Sequence, residues 1–364
     1  MPFEVCILGA GTVGLSQALR LKESFGEKVH VTVIADKYLA DTTSYGSGGL
    51  WEPYQIAGTP EDRVNGWGKV AFDHFLELLY GPHAGTAGVQ LLTAYNLLQQ
   101  KDSTTVPSWK DIVFNFKAMS AEDIAKMGFP SRFTHGFTFG TLVIEQRLYM
   151  SWLMEQLQTK WGVVFVEGRV ESLNEFCSAT GEGARFDVVI NCTGIGAGKL
   201  LGKEDDVYPI RGQVLRVKAP WMNNVMFWGT SYIIPNVDTV VLGGTAQIGN
   251  YDTTPSEADT RKILDDVCEL FPAMRDAPIE LVWAGLRPGR TPLRLDSSVV
   301  KRGDRRPLLV CHNYGHGGSG ITLAMGCADD IVKNHVEPFL SSQDAAGPGP
   351  AWVMSQWMTI RSRM

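Results

Sequence analysis

Three glycines at fixed spacing, followed by an acid, are the first residues that could do chemistry. Gly9, Gly11 and Gly14 lie in Gly9-Ala10-Gly11-Thr12-Val13-Gly14, directly after the apolar stretch Phe3-Glu4-Val5-Cys6-Ile7-Leu8. Buried strand, glycine turn and amphipathic helix (Leu15 to Leu21) is the order of a dinucleotide-binding βαβ unit. Gly9 permits the tight turn, Gly11 lets the backbone approach a pyrophosphate, and Gly14 lets helix pack on strand. The pyrophosphate would rest on the free N–H groups and positive dipole end of that helix. Gly26 can close the helix, and Val29 to Ile34 reads as a second strand. Asp36 lies 22 residues beyond Gly14, near the ~20 expected of a carboxylate that accepts from ribose hydroxyls. These residues alone predict an AMP-bearing cofactor, NAD(P) or FAD.

Other stretches could meet the rest of such a cofactor. Asp41 to Tyr54 is rich in hydroxyls and glycine, then aromatic, a composition that can hydrogen-bond a cofactor and present apolar side chains to a flat ring. Phe186 to Ala197 reads as a buried strand ending in Asn191-Cys192-Thr193-Gly194. That end is either a cofactor edge or a plain strand-to-loop turn. Leu308 to Thr322 is a second strand, glycine loop and helix, with the helix reaching about His335. It lacks GxGxxG spacing, but its N–H groups could neutralise negative charge on a cofactor head group.

The elements that must position these groups follow from pattern. Residues 60–125 read as helices and irregular pieces. Thr141 to Ile144 is strand, Tyr149 to Lys160 helix, and Val163 to Val166 strand, continued by Gly168 to Leu173. Tyr208 to Gly249 becomes all-β, with strands at Val214–Val217, Tyr232–Pro235 and Thr239–Gly244. A helix spans about Asp259 to Leu270, and Ile279 to Pro288 is a strand ending in Arg287. The 364 residues suggest two domains or one large one. A net charge of −6 with no Lys/Arg stripe argues against a nucleic-acid partner. No 18-residue apolar stretch suggests a membrane span, and a strand starting at residue 3 leaves no room for a signal peptide. Six scattered cysteines read as reduced thiols, with no spacing that suggests a metal site. The C-terminal Ser362-Arg363-Met364 has the small, basic, aliphatic pattern of a peroxisomal address.

Taken in order, the motifs VCILGAGTVGLS, ADKYLADTTS, GGLWEPY, VINCTGIGAG, IRGQVLRVKAPW, SYIIPN, GLRPGR and HNYGHGGSGIT resemble those of the D-amino-acid and D-aspartate oxidase flavoproteins, over nearly the whole chain to about residue 340. The resemblance implies an α/β FAD-binding domain of the glutathione-reductase type with a smaller α+β substrate-binding domain. The expected division is 1–58, 138–206 and 281–340 for the cofactor, 59–137 and 207–280 for substrate and interface, and 341–364 as a tail. It implies FAD bound by Gly9, Ala10, Gly11, Gly14, Asp36, Lys37, Thr42, Thr43, Ser44, Gly49, Leu50, Val170, Thr193, Gly317, Gly318, Gly320, Ile321 and Thr322. Arg287 would pair with a substrate α-carboxylate, Tyr232 would donate to it, and the Gly318 carbonyl would accept from the α-amino group. Leu50, Glu52, Phe227, Trp228 and Ile234 are expected to line the pocket. The planar fork of arginine suits a carboxylate and stays charged in a dry site.

The reaction so implied is hydride transfer from the α-carbon to flavin, driven by a neutral amine, with no protein base needed. Oxygen then yields hydrogen peroxide, and the imino acid hydrolyses to a 2-oxo acid and ammonia. The acidic-substrate branch carries Arg in a Gly-Gly-Thr-Arg-Gln segment where this chain has Ala246, so neutral D-amino acids are expected over D-aspartate. Val225 to Ser231 is shorter than the lid-bearing stretch of mammalian oxidases and lacks its tyrosine, which suggests an open entrance. Glu52 stands where many relatives carry Gln; facing the pocket it would favour basic substrates, facing solvent it would not matter. A homodimer and import through a peroxisomal receptor are compatible with the resemblance. The competing readings are D-aspartate oxidase, a glycine or sarcosine oxidase, an NAD-dependent dehydrogenase, and a flavin-binding relative without catalysis.

Overall fold

A computed structural model describes residues 1–100, 102, 105–178, 180–202, 206–303 and 305–345. The C-terminal tripeptide lies outside them. The chain opens with β1 (Phe3–Leu8), α1 (Thr12–Phe25) and β2 (Val29–Ala35), then α2 (Glu61–Tyr80), β3 (Val89–Gln99), β4 (Phe114–Ser120), α3 (Ala121–Lys126) and β5 (Phe133–Ile144). It continues through α4 (Gln146–Thr159), β6 (Val164–Glu167), α5 (Leu173–Phe176), β7 (Val188–Asn191) and α6 (Ala197–Leu201). Next come β8 (Tyr208–Val217), β9 (Val225–Trp228), β10 (Ser231–Pro235), β11 (Val240–Gly243), β12 (Gln247–Ile248) and α7 (Glu257–Leu270). Last are β13 (Ile279–Arg302), β14 (Arg305–His316), α8 (Gly320–Ile331) and α9 (Glu337–Ala345).

One sheet joins the strands in the order β4-β5-β3-β9-β10-β11-β8-β13-β14-β7-β1-β2-β6, with β12 beside β8. At one end β14, β7, β1, β2 and β6 are parallel neighbours. Such strands are covered on both faces and must be apolar throughout. Val5, Cys6, Ile7 and Leu8 are accordingly buried, with α1 and α8 in the core on one side and α5 and α6 on the other. Toward the other end pairing is antiparallel except at β3 and β9. There a second core gathers Leu215, Val217, Met226, Trp228 and Ile233 under α7. Strand β13 links the halves: its first part pairs with β8 and its second with β14.

Four expectations need correction. Residues 60–125 hold two strands besides helix α2. In β3, Ala94 and Leu97 are buried in core while Asn96 and Leu98 line a cavity, so both faces carry apolar residues and the alternation is lost. In β4 the register slips between Phe114 and Lys117, where Asn115 has φ 50. Gly168 to Leu173 does not prolong β6; the chain leaves the sheet there, and the Ser172 hydroxyl accepts from the Glu175 N–H at 3.3 Å to cap α5. Arg287 lies inside β13 rather than at its end, and helical structure after α8 runs on through a π-helical turn at Val332–Val336 to Ala345.

Candidate active site

The glycine run folds as a phosphate cradle. Gly9 takes φ +102, open to glycine at little cost, and its N–H donates to Ile34 O at 2.9 Å. Gly14 lies so close to the Gly9 carbonyl that a Cβ would overlap it. Helix α1 starts after Gly11 with no acidic residue in its first turn, leaving its positive end toward an elongated cavity of about 310 Å³. Asp36 and Lys37 line this cavity, with Arg169 Nη1 donating to the Asp36 carboxylate at 3.2 Å. Ala10, Thr42, Thr43, Ser44, Val170, Thr193, Gly317, Gly318, Gly320 and Ile321 also line it.

Three buried polar atoms of residues on this wall, Thr12 Oγ1, Asn313 Oδ1 and His316 Nε2, have no hydrogen-bond partner among the described residues. Buried polar atoms rarely stay unpaired. Burial pushes the His316 imidazole down to about 4, so it is neutral near pH 7. The phosphates and hydroxyls of FAD, directly or through water, would supply the missing partners, and the cradle fits that group.

A second cavity of about 660 Å³ adjoins the first; Thr43, Ser47, Arg287, Gly318 and Ile321 line both. Its floor is one transverse row of the sheet. Phe137, Asn96, Phe227, Tyr232, Gly243, Val214 and Trp283 are register partners in sequence across β5, β3, β9, β10, β11, β8 and β13, and all but Gly243 line the cavity. Gly243 and Gly244 make room for the Tyr232 ring, which a Cβ on either would overlap. Arg287 Nη1 donates to Thr245 O at 2.9 Å, and its guanidinium lies against Gly212.

Opposite this floor runs a strap of residues 50–55, tied to the start of α8. The Glu52 N–H donates to Thr322 Oγ1 at 3.2 Å, and that hydroxyl donates to the Glu52 carbonyl at 2.9 Å. The Tyr54 N–H donates to Ser319 Oγ at 2.7 Å, and Ser319 donates back to the Tyr54 carbonyl at 2.8 Å. The Tyr54 ring centre lies 6.0 Å from Arg287 Cζ, within cation–π range. Upstream, buried Arg216 donates to Ser47 O at 2.9 Å and to Asn236 Oδ1 at 2.7 Å, and Asn236 donates to Gly48 O at 3.0 Å.

Glu52 faces the cavity, and burial alone pushes its carboxyl up to about 7. Leu50 and Ile234 also line it, as does Gly49. Trp228, expected there, does not: neighbouring strand residues point to opposite faces, so it packs into the second core with its ring 6.2 Å from Phe271. Thr322 does not line the cofactor cavity, because its hydroxyl is spent on the strap. Tyr54, Asn96, Leu98, Asp102, Thr105, Phe137, Gly212, Val214, Trp283 and Arg169 reach the two cavities unforeseen. Tyr54 stood inside GGLWEPY and could have been read from it; Asn96 and Leu98 belong to β3, a strand that pattern did not reveal, and Asp102 and Thr105 follow it.

The family model described as FAD dependent oxidoreductase matches residues 4–333. The chain belongs to that family. FAD is therefore the cofactor of this oxidoreductase. It is 36% identical to the D-amino-acid oxidase of Rubrobacter xylanophilus over 90% of this chain and 94% of the relative. It is 34% identical to the D-aspartate oxidase of Homo sapiens over 90% and 93%. Among solved structures, the glycine oxidase of Geobacillus kaustophilus superposes with a TM-score of 0.70 at 17% identity, over 93% of this chain and 98% of that one.

Proposed function

We propose that this oxidoreductase carries out the oxidative deamination of D-amino acids to 2-oxo acids and ammonia, with oxygen reduced to hydrogen peroxide. The observation that carries the reading is the meeting of the cofactor cradle with the row-floored cavity at Arg287, Gly318 and Ile321. FAD, when bound, supplies the two-electron acceptor for the α-hydride and its reoxidation by oxygen. The protein positions and desolvates the substrate. Arg287, with Nη1 held by Thr245, turns the rest of its fork to the α-carboxylate. Tyr232 donates its hydroxyl to the same carboxylate, and Gly318 O accepts from the α-amino group. These contacts leave the α-hydrogen directed at the cradle when the substrate is D-configured. The bipartite division at residues 58, 137, 206 and 280 belongs to the same reading.

Neutral side chains are favoured over acidic ones. Among the described residues lining the cavity, Arg287 is the sole cation, beside the carboxylates of Glu52 and Asp102. Ala246 is exposed and brings no charge. A second substrate carboxylate would meet like charge. The similarity to D-aspartate oxidases supports the acidic alternative, but the charges of this cavity oppose it. A peroxide assay with D-methionine, D-alanine and D-aspartate is the test; a higher kcat/KM for D-aspartate would refute the preference. Peroxisomal residence through Ser362-Arg363-Met364 fits a peroxide-forming enzyme, and a reporter carrying this tail should enter peroxisomes while one ending before Ser362 should not.

A further inference from the structure

The charges of the substrate cavity are unbalanced in a way that points past neutral substrates. Glu52 is fixed at both backbone ends by Thr322, so its side chain is held in the cavity wall. Among the described residues, nothing hydrogen-bonds or neutralises its carboxylate; desolvation is the sole influence upon it. A carboxylate taken out of water without a partner is costly, and the missing partner can come from the ligand. Arg287, the sole cation among the described lining residues, and Glu52 both act on the phenol of Tyr54. Asp102, on the same cavity, adds a second carboxylate, itself accepting from the Gln99 N–H at 2.7 Å. Leu98, Phe137 and Phe227 supply apolar wall for a methylene chain.

We infer that this cavity selects D-amino acids with a cationic side chain, such as D-arginine and D-lysine, whose head group pairs with the Glu52 carboxylate while Arg287 holds the α-carboxylate. The inference rests on the oxidase reading above and names its substrate class. The titratable and charged groups that line the cavity with Glu52 are Tyr54 on its own strap, Tyr232 on β10, Arg287 on β13 and Asp102 beyond β3; Ser319 and Thr322, at the start of α8, bring no charge. A substrate cation stabilises the ionised form of Glu52, so discrimination grows as pH rises through the range where that group ionises.

The test compares D-arginine with D-citrulline, which has the same shape and no charge, in wild type and Glu52→Gln holoenzyme. In wild type, kcat/KM for D-arginine should exceed that for D-citrulline by about tenfold or more, the worth of a charged hydrogen bond in a dry site. The ratio should be smaller at about pH 6 than at about pH 8.5, since the guanidinium stays charged throughout. In Glu52→Gln it should fall to near one at both values, and Asp102→Asn should lower it less. A wild-type ratio of one or below, or a ratio that Glu52→Gln leaves unchanged, overturns the inference. The wild-type pH comparison decides it even if the variant does not fold. Turnover of D-methionine with a flat ratio would sink this inference alone, whereas no turnover of any D-amino acid would sink the oxidase reading beneath it.

Discussion

Gly212 lies against the face of the Arg287 guanidinium, so near that a Cβ would overlap Cζ and both terminal nitrogens. Its register partner across β8 and β13 is Gly285, also without a side chain. The anchoring arginine thus lies over a bare patch of sheet, with Nη1 tied to the Thr245 carbonyl. Gly212→Ala should push the fork off its axis. We expect kcat/KM for D-methionine to fall by roughly 10- to 100-fold, as displacements of about an ångström do, with FAD binding retained in a fluorescence titration. Unchanged kcat/KM would show that the close seat is immaterial.

Phe227 and Trp228 are chain neighbours on opposite faces of β9, and their truncations should separate cleanly. Phe227→Ala enlarges the cavity floor and should shift the preference among neutral D-amino acids toward larger side chains. Trp228→Ala empties the second core beside Phe271 and should cost about 3–5 kcal/mol in urea unfolding without changing the order of substrates. A changed order in Trp228→Ala would mean that its ring reaches the substrate.

The pH dependence of stability should reveal Glu52. Its carboxyl titrates near 7 in the folded chain against 4.5 for the ordinary group, so the folded state binds the proton more tightly than the unfolded state. Its contribution is most favourable below the unfolded value and is lost as pH rises through the window from about 4.5 to 7. Glu52→Gln cannot ionise. Measured by urea unfolding without substrate, the variant should gain on wild type by about 1–3 kcal/mol between pH 5 and pH 8. A difference independent of pH would mean that the carboxylate is solvated.

The cofactor half was largely legible from the chain because its signals are local. Gly9 and Gly11 sit between β1 and α1, Gly14 in the first turn of α1 and Asp36 just after β2, and each of these elements is a contiguous run. The substrate cavity is assembled transversely, one residue per strand, so Asn96, Val214 and Trp283 carry no mark in their own segments. Glu52 was readable as an acid at an unusual place but not as cavity-facing, since its direction is set by Thr322, 270 residues away. Trp228 was misjudged because neighbouring positions on a strand differ by which face they occupy, and an apolar run does not say which face is wet.

A tight hairpin forms part of the cavity wall. β9 and β10 are joined by Gly229 and Thr230 alone, both lining the cavity, with Gly229 at φ 58. With so short a connection there is little loop to move before product leaves. Relative kcat should therefore be nearly independent of relative solvent viscosity in sucrose-containing buffer. A proportional dependence would indicate that a diffusive opening step limits turnover.

Anaerobic mixing with D-methionine and with L-methionine, followed by the visible absorbance of the bound flavin, tests most directly whether Arg287 holds a D-amino acid against the cofactor. Wild-type enzyme should bleach with the D isomer alone and regain its colour in air, and Arg287→Ala should bleach with an apparent second-order rate lower by at least about 1,000-fold, the loss of a buried charged pair. Bleaching by the L isomer at a comparable rate, or an alanine variant reduced as fast as wild type, would contradict that arrangement.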